Sequence, residues 1–284
     1  MNIKRLISIL TLISAGLTAQ AQERIVSATG NASEIIANLG LAESLVGVDT
    51  TSTEPAELMD SLPKVGYRRN LSAEGILSLN PDLLILAPDA GPPNVLEQLK
   101  VVNVPLLQIQ EDKSINGLVN NIELIANTLG AQKQAEELIA IIRQEEKVIA
   151  KERMNYKRKP KIAILMDGTT GQLTGLGRET AGDSLVHIVG GENAFTEQFK
   201  GMKAVSRESL IADATDMIII STFSEEKKVN ELTLAKAHYP EIALSQAGKN
   251  DCIFRIDAVK ALGFGPKLTE AALQIAQAVN RCLR

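Results

Sequence analysis

The chain predicts an α/β fold of two Rossmann-like lobes joined by one long α-helix, with a ligand cleft between the lobes. Three observations predict it. Short β-branched runs alternate with helical patterns, the signature of parallel α/β architecture. The alternation occurs twice, and residues 131–156 between the two halves hold neither Gly nor Pro. Aromatics make up 3% of the 284 residues and Trp is absent, so the core is built from Leu, Ile, Val and Ala, which suits helices packed on parallel strands.

The elements follow in order. Residues 24–27 read as a strand, 33–39 as a helix stopped at Gly40, and 45–48 as a second strand. Ser72 caps a helix that Asn80-Pro81 ends. Residues 82–86 are a near-continuous apolar run, as in a strand buried on both faces. A helix over 93–101, a strand over 105–109 and a helix over 114–129, stopped at Gly130, complete the first half. In 131–156, Leu138, Ile141, Ile142, Val148 and Ile149 recur among many charges, which predicts a long amphipathic helix. The second half reads as a strand over 161–166, helices over 180–189 and 206–212, strands over 216–221 and 252–256, and a final helix over 266–282. The lobes are thus expected at 22–130 and 157–284. A flexible linker is rich in Gly, Ser or Pro; this one is not, so a stiff spine and a small lobe closure on binding are expected.

Residues 1–21 differ from the rest. Lys4 and Arg5 precede an apolar run from Leu6 to Leu17, and Ala19-Gln20-Ala21 places small residues before a cut. This reads as a cleaved secretory leader with the mature chain starting near Gln22. The only cysteines are Cys252 and Cys282, so none stands at the cut to take a lipid. A periplasmic protein without a lipid anchor is therefore expected. The two cysteines form either a disulfide or two buried thiols. The formal charge of −4 offers no basic field for nucleic acid.

Catalytic patterns are missing. Gly182-Asp183-Ser184 lacks the spaced glycines of a nucleophile elbow, and His187 and His238 lack helical zinc spacing. Gly175-Leu176-Gly177 begins like a dinucleotide fingerprint, but Thr180 holds the third glycine's place. That segment reads as a tight turn into a helix capped at Thr180 or near Ser184. No enzyme is expected.

The informative segment is the loop around Tyr67, one of only three tyrosines, followed directly by Arg68 and Arg69. A phenolate is a hard ligand suited to ferric iron, and tyrosine serves as an axial haem ligand. Neighbouring cations favour the phenolate, and arginine pairs well with carboxylates. Read from the residues alone, a solvated surface loop fits the same pattern.

The run from Val65-Gly66-Tyr67-Arg68-Arg69-Asn70-Leu71 to Asn80-Pro81-Asp82-Leu83-Leu84 resembles the periplasmic haemin-binding proteins of bacterial haem ABC importers, class III helical-backbone substrate-binding proteins. So do Ala90-Gly91-Pro92-Pro93, Thr180-Ala181-Gly182-Asp183-Ser184, Gly201-Met202-Lys203-Ala204-Val205-Ser206 and Gly263-Phe264-Gly265-Pro266-Lys267-Leu268. The resemblance implies two lobes bridged by a helix and haem as the transported ligand. It implies Tyr67 as the axial ligand to haem iron, Arg69 as its support and Arg68 as a second contributor. Gly91, Pro92 and Pro93 are implied in a cleft-facing loop. Glu74 and Glu208, one per lobe, are implied to dock on the two subunits of an ABC permease, although acidic residues at helix starts also simply complement the dipole. An outer-membrane haem receptor is implied upstream. Some family members carry a histidine after the second lobe's first strand; here 166–171 has none, and no arginine follows Ile220-Ser221-Thr222-Phe223. Five-coordinate iron and a single haem are therefore expected. Two alternatives stand beside this reading: the same fold binding a ferric siderophore or cobalamin, and a tetrapyrrole chelatase-like enzyme.

Overall fold

The computed structural model describes residues 24–167, 172–222 and 232–283. The expected leader lies outside them, as do residues 168–171 and Phe223.

The N-terminal half builds a four-stranded, wholly parallel sheet. Its spatial order is Leu45–Val48, Ile25–Ala28, Leu83–Leu86 and Leu106–Gln108. Ile25–Ala28 and Leu83–Leu86 are buried at every position, because helices such as Gly30–Asn38 and Pro93–Val101 cover the sheet faces. Ser114 accepts from the Gly117 N–H to start the helix Ile115–Leu129, and Gly130 ends it in the left-handed conformation, φ 70°.

The linking helix is Gln132–Met154, just inside the expected bounds. Only Ala135, Ile142 and Ile149 along it are fully buried, two helical turns apart. That narrow stripe packs on Ile115–Leu129 of one lobe and on Leu268–Cys282 of the other, which leaves the remaining faces to charge. Polar clamps tie the helix to the C-terminal lobe. Thr269 Oγ1 donates to Glu145 Oε2 at 2.5 Å, Asn280 Nδ2 to Glu152 Oε2 at 2.8 Å, and Tyr156 Oη to the Val189 carbonyl at 3.0 Å.

The C-terminal lobe holds a mixed sheet. Lys161–Asp167, Met217–Thr222 and Ile253–Asp257 run parallel at its centre. Leu173–Leu176 is an antiparallel strand against Lys161–Asp167, where the sequence reads as a glycine turn. Gly175 serves packing there: a Cβ on it would lie 2.9 Å from Val205 and 3.0 Å from the Phe195 ring. Thr180 does cap the following helix, Ala181–Ile188. Cys252 and Cys282 are joined in a disulfide, which pins the end of the last helix to the entry of Ile253–Asp257. Among the described residues no helix is long and apolar enough to cross a membrane.

Candidate functional site

Tyr67 sits on a minimal hairpin. Gly66–Tyr67 pairs antiparallel with Asn70–Leu71, leaving Arg68 and Arg69 as a two-residue turn. Gly66 makes this possible, with φ at 103° and the Asn70 carbonyl only 2.6 Å from where a Cβ would stand. Backbone bonds hold the hairpin on both sides. The Thr50 N–H donates to the Gly66 carbonyl at 2.9 Å and the Ser72 N–H to Val65 at 3.0 Å. The Gly91 N–H donates to the Arg68 carbonyl at 2.9 Å, and the Leu71 N–H to the Gly91 carbonyl at 2.8 Å. Gly91 is buried against the hairpin, so the Gly91-Pro92-Pro93 segment buttresses the Tyr67 turn. Tyr67 itself is 42% exposed.

The hairpin faces the other lobe. Thr51, Tyr67 and Arg68 share a cavity of about 320 Å³ with Val259, Leu262 and Gly263. A second cavity of about 180 Å³ adjoins, lined by Arg68, Pro88, Asp89 and Gln110 from one lobe and Leu262 and Phe264 from the other. Arg68 lines both. The larger volume suits a small-molecule site, and its wall combines the apolar Ala258, Val259 and Leu262 with polar groups that include Thr51, Glu34 and Arg68. A wider groove of about 480 Å³ runs beside Glu146, Arg153 and His187, but its lining includes no tyrosine.

The arginines are tied back to one carboxylate. Arg68 Nη2 donates to Asp89 Oδ2 at 3.0 Å, and Arg69 reaches the same oxygen through Nε at 2.7 Å and Nη2 at 2.5 Å. The hydrogen bond to Asp89, and then its charge, holds the Arg69 guanidinium above its ordinary range. Arg68 Nε is buried and makes no hydrogen bond with the protein. An unpaired buried donor beside a cavity points to a polar ligand atom.

At the edge of the larger cavity, which Glu34 also lines, the lobes meet at a polar seam. Glu34 Oε1 accepts from the Lys267 N–H at 3.2 Å, and Lys267 Nζ pairs with Glu54 Oε2 at 2.9 Å. A Cβ on Gly265 would lie 2.1 Å from Glu34 Oε2, so a side chain there would push the carboxyl aside. Burial pushes the Glu34 carboxyl up to about 7.

The structure thus brings Tyr67 and Arg68 together with the opposite lobe. Arg69 pairs with Asp89, and it and Gly91, Pro92 and Pro93, expected in a cleft-facing loop, line neither cavity. Glu74 and Glu208 lie elsewhere, exposed in the first turns of Ala73–Ser78 and Arg207–Ala212, one in each lobe. Hydrogen bonds from its own N–H and from Ser206 hold the Glu208 carboxyl below the ordinary range. Sequence reasoning missed Asp89, Glu34 and the Val259, Leu262 and Gly263 wall. The Gly263-Phe264-Gly265-Pro266 run marks that wall, but nothing local says what it faces.

Residues 25–259 match the family model described as periplasmic binding protein. The chain belongs to the periplasmic binding proteins. This periplasmic binding protein is 30% identical over 243 residues to a vitamin B12-binding protein of Yersinia pestis, covering 85% of the chain and 83% of that relative. Among solved structures it is similar to the periplasmic haem-binding protein RhuT of Roseiflexus in apo form, with 32% identity and a TM-score of 0.78, covering 93% of this chain and all of that one. It is similar also to the haem-binding protein HutB of Vibrio cholerae, with 31% identity, a TM-score of 0.74, and coverage of 92% and 98%. The haem-binding protein BhuT, solved with two haems, matches at 28% identity and a TM-score of 0.78, covering 92% and 99%. The resemblance read from the segments between Val65 and Leu268 is thus matched over the whole fold. The relatives are transport-related binding proteins of the haem and vitamin B12 class.

Proposed function

We propose that this periplasmic binding protein captures haem in the interlobe cleft and delivers it to an ABC importer. The observation that carries the reading is the placement of Tyr67 and Arg68, on a hairpin fixed from both sides, against the Val259, Leu262 and Gly263 wall of the other lobe. Tyr67 is the iron ligand, its phenolate supplying a hard anionic donor to ferric iron. Arg69 and Arg68 supply positive charge beside that anion, and Arg68 Nε offers an unpaired donor to the ligand. Gly91, Pro92 and Pro93 brace the turn. The similarity to haem-binding proteins of Roseiflexus and Vibrio cholerae supports this reading. The protein is exported by its leader to the periplasm, where an outer-membrane receptor supplies haem.

Delivery uses Glu74 and Glu208, which present one exposed acidic group per lobe to a permease dimer. Reversing both to arginine is expected to abolish haem uptake by cells while leaving haemin binding in solution intact. Uptake at wild-type rates overturns the docking role.

Haemin titration of the wild type beside Tyr67→Phe tests the ligand. The expected result is saturable one-to-one binding with a ferric tyrosinate spectrum that the variant loses. Equal binding by both proteins removes Tyr67 as the anchor. A second reading, cobalamin as cargo, is favoured by the Yersinia pestis relative. Saturable binding of cyanocobalamin without specific binding of haemin establishes that one.

A further inference from the structure

We infer that Asp89 is a built-in carboxylate placeholder, which occupies Arg68 in the empty cleft, yields it to a carboxylate of the ligand, and so sets selectivity for anionic over neutral ligands. The inference rests on the haem reading above and assigns a role to a residue outside it.

The geometry separates the two arginines. Arg69 holds Asp89 Oδ2 through two nitrogens, at 2.5 and 2.7 Å, while Arg68 reaches the same oxygen through one, at 3.0 Å. Asp89 is thus anchored by Arg69 and only borrowed by Arg68. The Arg68 and Asp89 side chains are 32% and 31% exposed, so solvent weakens their ion pair and lowers the cost of exchanging partners. Arg69 keeps its own partner when Arg68 leaves.

Charge and space agree. The turn carries two guanidinium groups against one carboxylate in contact, with Glu111 more distant and itself paired with Lys113 at 2.7 Å. One positive charge at the turn is left for an incoming anion. Arg68 also borders both cavities, about 320 and 180 Å³, while its Nε is buried and unpaired. A ligand carboxylate pairing bidentately through Nε and a terminal nitrogen satisfies that donor, which Asp89 does not reach. A tetrapyrrole with ionised carboxylates makes this exchange. One whose side chains are neutral amides or esters has nothing to offer in return.

The test compares haemin with haemin dimethyl ester, in which both carboxylates are masked, on the wild type and Asp89→Asn. Without the competing charge, haemin affinity is expected to rise about fivefold, the size of a partly exposed ion pair, while ester affinity stays within about twofold. Adding Arg68→Gln should cancel the haemin gain. Asp89→Ser serves if Asp89→Asn fails to fold by circular dichroism. Weaker haemin binding in the variant makes Asp89 a strut and overturns the proposal, as does an equal change for both ligands. If the wild type binds no haemin, the haem reading falls and this inference with it. If it binds with the Tyr67-dependent spectrum and the haemin-to-ester ratio is unmoved, only the placeholder is lost.

Discussion

Glu34 Oε1, on the first helix of one lobe, accepts a hydrogen bond from the backbone N–H of Lys267 in the other lobe at 3.2 Å. Lys267 Nζ meanwhile pairs with Glu54, so two acidic side chains of the N-terminal lobe grip one residue of the C-terminal lobe. Because Leu262 and Gly263 of the cleft wall lie just ahead of Lys267, this seam fixes where that wall stands opposite Tyr67.

The seam makes stability depend on pH. Burial first, with Glu54 and Asp257 nearby, raises the Glu34 carboxyl from 4.5 to about 7 against the opposing pull of Lys267. Between those values the unfolded chain has released the proton and the folded protein still holds it. The contribution is therefore fully present below about 4.5 and is lost as pH rises through about 7. Glu34→Gln, neutral throughout, should lack this slope and gain on the wild type by about 3 kcal/mol between acid and alkaline conditions. Denaturant unfolding at several pH values measures it. Parallel profiles for the two proteins uncouple Glu34 from stability.

Gly66→Ala should displace the Tyr67 turn. The substitution places a Cβ at φ 103°, 2.6 Å from the Asn70 carbonyl, so the pairing of Gly66 with Leu71 must open. Strain of this kind costs about 1–3 kcal/mol. Haemin affinity is expected to fall more than global stability, because the hairpin is small and only its Leu71 enters a core cluster, the lesser of the two, while Tyr67 and Asn70 are exposed. Unchanged titration curves remove Gly66 from the positioning of Tyr67.

The disulfide should matter for stability and little for binding. Its loop of 30 residues contributes about 3–4 kcal/mol by restricting the unfolded chain. Cys252 enters the strand Ile253–Asp257 at the end away from Ala258, which lines the cleft. Replacing both cysteines by serine is expected to lower the melting temperature while haemin affinity holds. A large loss of affinity in the folded variant ties the bridge to the cleft.

Local pattern carried most of the architecture. The buried run Leu83–Leu86, the caps at Ser72, Ser114, Thr180 and Ser206, and the uninterrupted amphipathic helix Gln132–Met154 each depend on residues within a few positions of one another. Hydrophobic periodicity and capping sterics act at that range, so the elements and the linking helix were legible without coordinates. Tyr67 stood out because tyrosine is scarce here and two arginines follow it. The hairpin bearing it did not, since two-residue strands are too short to show a period.

Folding alone decided the rest. Composition left Cys252 and Cys282 open between a bridge and two thiols, and the packing of the last helix on the sheet joined them. Asp89 met Arg68 and Arg69 because the loop after Leu83–Leu86 runs beside the hairpin, and Glu34 met Lys267 because the lobes close on each other. Side chains far apart in the chain meet only where packed sheets and helices bring their loops into register, and no spacing along the sequence encodes that distance.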